Sequence, residues 1–306
     1  MNKLLLSIII VSYNSCKITV NCLRSIFTDK GLEFDPTRSD ESSRSPAEII
    51  LVDNNSTDST IFEVKKLKKP IKIITNKENF GFGQANNQGL QIASGNYVLL
   101  LNSDTIILHS AISQSLIWLS SHPESYGCTG QLLNSDKTIQ ASGGFFPNLL
   151  NVFTWCTGID DLPLINHLVK PLHPHTPNFY THDNFYLKDH PQNWITGAYM
   201  LIRKNIIDEV GGFDRDYFMY SEELEMCFRI HQKYPAMQLW YLVGPQIIHL
   251  GGASSLDKTK IFDREYQGIL HFFKKHRSSC QLHFVSFLIK INRFLRSTVY
   301  KLFFHA

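Results

Sequence analysis

The sequence predicts a doubly wound α/β domain, in which a mostly parallel sheet carries helices on both faces and a C-terminal helical tail follows. Short apolar runs such as residues 97–101 alternate with helix-like segments, the order expected of βα units. The early runs end in polar residues, as strands do at the carboxyl edge of a parallel sheet. A chain of 306 residues with 43% hydrophobic residues can also bury the core that such a sheet needs.

The first half contains the more regular pattern. We expect strands at 4–11, 48–52, 71–75, 97–101 and 126–133, with helices at about 16–27, 57–67, 79–94 and 108–120 between them. The first apolar run resembles an export signal, but no small-residue cleavage site follows it, so we interpret it as a strand. The polar segment 28–47 is expected to be a surface excursion without a site.

The second half is less regular. Residues 143–193 are rich in Pro, His, Asn and aromatic residues and predict loops and short helices over the crevice. A strand at 194–203, a helix at 222–233 and strands at 238–243 and 246–250 follow. We therefore divide the chain into a first half (1–135) and a second half (136–255) of one domain, followed by a helical tail (256–306).

Composition excludes several classes of protein. A formal net charge of +3 is too small to indicate nucleic-acid binding. The six cysteines form no CxxC pair, which suits reduced core thiols and predicts a cytoplasmic location. No apolar run approaches the ~18 residues of a membrane span. The tail at 284–304 mixes apolar and basic residues, so it is either a helix on the inner face of the plasma membrane or a packing helix.

One carboxylate ends the most apolar strand. Residues 97–101 are followed by Asn102, Ser103 and Asp104, which a buried strand would carry to the rim of a crevice. Carboxylate oxygens hold Mg²⁺ or Mn²⁺ beside substrate phosphates. A turn or a helix N-cap is the alternative role for an acid in this position.

A dinucleotide fingerprint is not supported. Gly81 and Gly83 lie between a strand and a helix, but Asn86 stands where the third glycine of GxGxxG belongs. The glycines also follow the third strand, whereas the fingerprint belongs to the first βα turn. The P-loop and GxSxG patterns are absent.

An ordered set of motifs resembles the family 2 glycosyltransferases of GT-A fold, nearest to bacterial rhamnosyltransferases. The motifs lie in the family's order over residues 5–255: SIIIVSYN (7–14), VDNNSTD (52–58), NFGFGQANNQG (79–89), LNSD (101–104), WITGAYMLIR (194–203), GGFD (211–214), FMYSEELEMCFR (218–229) and HLGGAS (249–254). Each motif alone is weak evidence, whereas the ordered set is specific.

The resemblance implies a nucleotide-sugar-binding half at 1–135 and an acceptor-binding and catalytic half at 136–255, with the nucleoside-diphosphate-sugar site at the strand ends. Asp53 would accept the N3–H of uracil or thymine, and Asp104 with His249 would hold Mg²⁺ or Mn²⁺, although an isolated histidine is more often a hydrogen-bonded core residue. Asn54–Asn55 and Asn86–Asn87 would contact ribose or close turns. The donor-binding residues it implies are Val11, Ser12, Tyr13, Asp53, Asn55, Asn79, Gly83, Asn87, Asn102, Ser103 and Asp104.

The resemblance also implies an acid pair and an acceptor side. Glu223, supported by Glu222, would remove the acceptor's hydroxyl proton, and Trp194, Gly197 and Ala198 would lie on the acceptor side. The family usually has Glu-Asp where this chain has two glutamates, and Asn102 stands where the Asp-x-Asp pattern has its first acid. Acids in the first turn of a helix also favour its macrodipole, which is the structural alternative.

These features predict an inverting, metal-dependent glycosyltransferase of cell-surface polysaccharide assembly. Its donor would be a dTDP- or UDP-sugar, with L-rhamnose favoured by the resemblance, and its acceptor a saccharide or lipid-linked saccharide. Because Asn102 and Glu223 differ from the family's usual residues, a second hypothesis stays open, a nucleotide-sugar-binding protein that has lost turnover.

Overall fold

A computed structural model describes residues 6–34, 44–159, 162, 168–174, 176, 185–251 and 258–304. The strands are β1 (Leu6–Ser12), β2 (Leu32–Glu33), β3 (Ser45–Asp53), β4 (Ile71–Thr75), β5 (Tyr97–Asn102), β6 (Thr105–Ile107), β7 (Ser125–Leu133), β8 (His190–Gln192), β9 (Tyr199–Arg203) and β10 (Gln238–His249). The helices are α1 (Cys16–Ile26), α2 (Thr60–Lys66), α3 (Gly81–Ile92), α4 (Ala111–Ser121), α5 (Leu149–Thr157), α6 (Lys204–Val210), α7 (Glu222–Lys233), α8 (Lys258–His276) and α9 (Ser279–Phe304).

The described strands form one sheet in the order β2-β3-β1-β5-β9-β7-β10-β6, with β4 beside β3 and β8 beside β10. β1 pairs in parallel with β3 and with β5, as the βα pattern predicts. β9 lies antiparallel between β5 and β7, which the sequence did not indicate. The proposed 1–135 and 136–255 halves therefore both contribute strands to this sheet.

The apolar strands are buried on both faces. Ile9 of β1 belongs to a core layer shared with α3 and α5 to α9, whereas Ile8 and Ile10 belong to a second layer shared with α1, α2 and α4. Successive side chains of a strand point to opposite faces, so a continuous apolar run is what two covered faces require.

Several predicted boundaries differ from the structure. The strand expected at 194–203 is regular only over β9, and the strands expected at 238–243 and 246–250 are one strand, β10, whose register with β7 shifts between Leu242 and Gln246. The segment 28–47 contains β2 and the start of β3, and its residues 35–43 lie outside the described residues. In the described part of the chain, no helix is both long and apolar enough to cross a bilayer.

A fully buried carboxylate joins α7 to α8. Glu225 accepts hydrogen bonds from Arg229 Nε at 2.8 Å and from Lys275 Nζ at 2.7 Å, and it lies 3.0 Å from His276 Nε2. Arg229 also donates to the carbonyls of Val210 and Gly212. A buried charge is tolerated because it has such partners. These contacts fix α7 to α8 through Lys275 and to the end of α6 through the carbonyls of Val210 and Gly212.

Glu225→Gln should destabilise the fold strongly. The substitution leaves the partly buried charge of Arg229 without its carboxylate, whereas Lys275 keeps Asp214 at 2.6 Å. We therefore expect the free energy of unfolding to fall by about 3–5 kcal/mol in urea titrations followed by circular dichroism. Glu209→Gln is the matched control, because Glu209 is exposed and contacts Lys233 at 3.0 Å. Its loss should stay below about 1 kcal/mol. Equal losses would contradict the role assigned to Glu225.

Candidate active site

Three neighbouring parallel strands end at the same level. In the sheet register Ser12 of β1 lies beside Asp53 of β3, and Val11 lies beside Asn102 of β5. The polar residues that follow these strands therefore share one carboxyl edge, where ligands bind in open α/β sheets.

Asp53 has an unused acceptor. The side chain is only 4% exposed, and its Oδ2 accepts the backbone N–H of Ser56 at 3.2 Å. Among the described residues Oδ1 has no hydrogen-bond partner. Buried carboxylate oxygens are rarely left unpaired, so Oδ1 is available to an N–H group of a ligand.

The other residues at the end of β1 differ in exposure. Tyr13 is 44% exposed at the rim, where its ring can cover a base. The Ser12 side chain is buried and bonds to the hydroxyls of Thr19 at 3.0 Å and Ser15 at 3.1 Å, so it supports the turn into α1. Ser15 also lies 3.5 Å from the hydroxyl of Ser103.

The predicted asparagine and glycine contacts hold the framework together. Asn79 Oδ1 accepts from Asn54 Nδ2 at 2.8 Å, and Asn55 adopts a left-handed φ of 71° in a turn. Asn87 exchanges two hydrogen bonds, of 2.8 and 2.9 Å, with the backbone of Phe213. A Cβ at Gly83 would come within 3.1 Å of Phe213. These contacts favour the turn-closing alternative, and contact with the donor stays a prediction.

Asp104 and His249 meet at this edge. Asp104 Oδ1 lies 3.2 Å from His249 Nε2, and Asn102 Nδ2 lies 3.3 Å from the same nitrogen. The backbone N–H of Leu250 donates to the carbonyl of Asp104 at 2.9 Å, which fixes the two segments together. The amide at Asn102 thus has a specific partner where the family pattern has an acid.

Gln140 determines the tautomer of His249. Its Nε2 donates to Asn134 Oδ1 at 2.9 Å and to the His249 carbonyl at 3.3 Å, so its Oε1 is left to accept the His249 Nδ1 proton at 2.6 Å. The Nε2 lone pair of His249 then faces Asp104, and a cation between them would satisfy both groups. Asp104 and His249 therefore fit a divalent ion. No local sequence pattern indicated Gln140.

A second acidic cluster is less suitable for a metal. Asp214, Asp216 and His271 place their ligand atoms within 4.8 Å of one another. Lys275 Nζ already lies 2.6 Å from Asp214 Oδ2 and supplies a positive charge there. Burial opposes ionisation of Asp214, but its hydrogen bonds and Lys275 outweigh this and lower its pKa. We therefore assign no metal to this cluster.

Glu222 and Glu223 occupy different surroundings at the start of α7. Glu222 is 1% exposed and its Oε2 has no partner among the described residues, whereas the half-buried Glu223 accepts the backbone N–H of Gly197 at 2.9 Å. Burial, followed by the neighbouring Glu223, raises the pKa of Glu222 well above its usual range. Burial also raises the pKa of Glu223, opposed by the Gly197 bond. Glu223 is thus the easier of the two to ionise.

The loop before the acid pair is strained. Tyr220 and Ser221 adopt φ values of 74° and 70°, a conformation that side chains other than glycine rarely take. Gly268 of α8 permits the close approach, because a Cβ there would come 2.5 Å from Ser221 Oγ. Such strain persists only where the surrounding structure enforces it.

The acceptor-side residues connect the acid pair to the strand edge. Gly197 contacts Glu223, and the carbonyl of the next residue, Ala198, accepts the backbone N–H of Asn102 at 3.1 Å. Trp194 is 7% exposed and its indole N–H donates to the Phe145 carbonyl at 3.2 Å, so it packs into the core beneath this segment. A continuous set of short contacts therefore joins Glu223 to Asn102, and Asn102 to His249 and Asp104.

This sheet, with its polar carboxyl edge, is the GT-A fold of glycosyltransferases. It superposes with a TM-score of 0.58 on GalNAc-T7 with UDP, GalNAc and Mn²⁺, over 89% of this chain and 48% of that chain at 15% identity. A mannosyltransferase from Pyrobaculum calidifontis with GDP-Man and Mn²⁺ matches 94% of this chain and 70% of its own at a TM-score of 0.55 and 14% identity.

The chain belongs to glycosyl transferase family 2, whose model matches residues 7–211. It is similar to the N-acetylglucosaminyl-diphospho-decaprenol L-rhamnosyltransferase of Mycobacterium tuberculosis, at 24% identity over 60% of this chain. It is also similar to the rhamnosyltransferase WbbL of Escherichia coli, at 24% identity over 56% of this chain. The alignments span 61% of the length of each relative.

Gln140→Met should weaken binding of Mn²⁺. It keeps the length of the side chain but removes the acceptor for His249 Nδ1, so we expect a loss of about 10- to 100-fold in Mn²⁺ affinity, measured by electron paramagnetic resonance without donor or acceptor. Asp104→Asn provides the reference for a lost ligand. Gln114→Met, on the exposed face of α4, is the matched control and should leave affinity unchanged. If Gln140→Met binds Mn²⁺ as the wild type does, Gln140 does not orient a ligand.

Proposed function

We propose that this chain is an inverting, metal-dependent glycosyltransferase. It would move a sugar, with L-rhamnose the first candidate, from a dTDP or UDP donor to a saccharide or lipid-linked saccharide in cell-surface polysaccharide assembly. The names of the two bacterial relatives support rhamnose, and the decaprenol in one name supports a lipid-linked acceptor.

The donor end of the proposal depends on Asp53 and Asp104. The unpaired Asp53 Oδ1 suits the N3–H that uracil and thymine share, and exposed Tyr13 is suited to cover the ring. Asp104 and His249 would hold Mg²⁺ or Mn²⁺. A bound cation of this kind would neutralise the charge on a leaving diphosphate.

The reaction assigned to Glu223 is a proton transfer coupled to displacement. The acceptor hydroxyl gives its proton to Glu223, and its oxygen forms a bond to the anomeric carbon as the bond from that carbon to the diphosphate oxygen breaks. The bonding electrons leave with the diphosphate, and attack opposite the leaving group inverts the anomeric centre. Glu222, kept protonated by burial and by its neighbour, would hold the pair at a single negative charge.

The observation that carries the proposal is the chain of contacts between the two ends of the site. Glu223 bonds to Gly197, and Ala198 bonds to Asn102, which contacts His249 beside Asp104. A base and a candidate cation site held by one backbone segment are what a single displacement needs, because nucleophile and leaving group must stay aligned.

The second hypothesis is a binding protein without turnover. It was based on Glu223 and Asn102, where the family has other residues. Asn102 bonds to His249 and Glu223 is hydrogen-bonded in place, so neither departure leaves a gap in the site. A panel of nucleotide sugars assayed for transfer to an acceptor with Mn²⁺ separates the hypotheses, since donor binding without transfer to any acceptor would favour the second.

Asp53→Ala should weaken the binding of uridine and thymidine nucleotides, with or without metal. The change removes one charged hydrogen bond, so we expect a loss of about 1.5–3 kcal/mol in binding free energy by isothermal titration calorimetry. Asp136→Ala, at an exposed turn, is the control and should bind normally. Equal affinity of the wild type for adenosine nucleotides would count against this base pocket.

Glu223→Gln should reduce transfer by about 10²- to 10⁴-fold while donor affinity stays close to wild type, because it preserves shape and removes the base. Because the base works when ionised, kcat/KM should rise with pH through the raised pKa of the pair in the wild type. That limb should disappear in Glu223→Gln.

Two further variants define the roles within the pair. Glu223→Asp, which restores the family's usual residue, should keep part of the activity, and Glu222→Gln should cost less than Glu223→Gln. If Glu222→Gln is inactive while Glu223→Gln is active, Glu222 is the base and Glu223 supports it. If both glutamine variants remain active, the base is another residue, and the pair has the structural role of acids in the first turn of α7.

A further inference from the structure

α9 is part of the folded domain along one face. Val285, Leu288 and Ile289 are buried in the core layer that contains α8, and Asn292 bonds to the Tyr266 hydroxyl and to the Cys156 carbonyl. Along this face the tail is a packing helix. Removing it would expose the core, so the function of its outer side must be tested with point variants.

A second apolar stripe on α9 faces solvent. Phe284, Phe287, Ile291 and Leu295 are 43%, 59%, 41% and 53% exposed, and their spacing of three and four residues aligns them along one side of the helix. Exposed Lys290 lies within the same segment. Contiguous exposed apolar surface of this kind marks an interaction site.

Charge and spacing indicate the partner. Residues 279–304 contain four basic residues, Lys290, Arg293, Arg296 and Lys301, and no Asp or Glu. Two copies packed through this stripe would bring their exposed Lys290 side chains close together. The coiled-coil spacing of 284, 287, 291 and 294 also fails at Thr298 and Lys301, the next two positions of that repeat.

We propose that this stripe docks α9 on an anionic lipid surface. Phe287 and Ile291 would enter the headgroup region, while Lys290 extends to the phosphates. Arg293 already pairs with Asp263 at 2.7 Å, so Lys290 is the better reporter of electrostatic attraction. The proposal concerns the location of the enzyme and is independent of the proposed sugar transfer.

The test uses the full chain without donor, acceptor or metal. We expect it to co-sediment with phosphatidylcholine vesicles that contain phosphatidylglycerol, less with phosphatidylcholine alone, and less as salt is raised. The double change Phe287→Ser with Ile291→Ser should weaken binding to anionic vesicles by about tenfold or more. Lys290→Gln should weaken it by about fivefold on anionic vesicles only.

The matched control is Phe62→Ser with Ile117→Ser. These side chains are 62% and 64% exposed, and they lie on α2 and α4, which pack on the opposite face of the sheet. The control should bind vesicles as the wild type does. Equal loss in both double variants, or absence of wild-type binding, would overturn the proposal. So would a change from dimer to monomer by light scattering with no change in vesicle binding. If the stripe variant misfolds, Lys290→Gln decides the question.

Discussion

Hydrogen bonding between parallel strands determines where the chemistry of this enzyme family can occur in the chain. β1 pairs in register with β3 on one side and β5 on the other, so Ser12, Asp53 and Asn102 must end at one edge. A slip of one residue would reverse the faces of every side chain in the strand. The two apolar layers prevent this, because Ile8, Ile9 and Ile10 alternate between them.

Burial gives similar residues different chemical roles along that edge. Glu222 and Glu223 are neighbours of one type, yet Glu223 accepts the backbone N–H of Gly197, whereas Glu222 Oε2 has no partner among the described residues and burial favours the neutral form of Glu222. The macrodipole of α7 favours charge at both positions, but burial outweighs it, since the pKa of each is raised. For His249 the cause is a hydrogen bond and not burial, because Gln140 accepts the Nδ1 proton of the ring.

The sequence predicted features that local patterns encode. β4 was predicted at its observed bounds, as was α7. Asp104 and His249 lie 3.2 Å apart, but they were expected together because of the family resemblance and not because of a local pattern, and their role as metal ligands stays a prediction. Features that depend on distant partners could not be predicted. Gln140 and His249 are 109 positions apart, and the antiparallel placement of β9 depends on two neighbours that no local pattern specifies. Glu225 and Arg229 have helical i, i+4 spacing, but Lys275 is 50 positions away.

The hydrogen bonds of Glu225 make the final position of α7 depend on a helix that is synthesised later. Its partners Lys275 and His276, and Gly268 behind the strained turn, belong to α8, which follows α7 by more than twenty residues. While α8 is still inside the ribosome, the strands that precede α7 can already pair, but Glu225 lacks Lys275 and His276 and has Arg229 to balance its charge. The acid pair therefore depends on α8 for its final position, and a partly synthesised chain can align Ser12, Asp53 and Asn102 at the sheet edge before the turn that carries Glu222 and Glu223 is fixed.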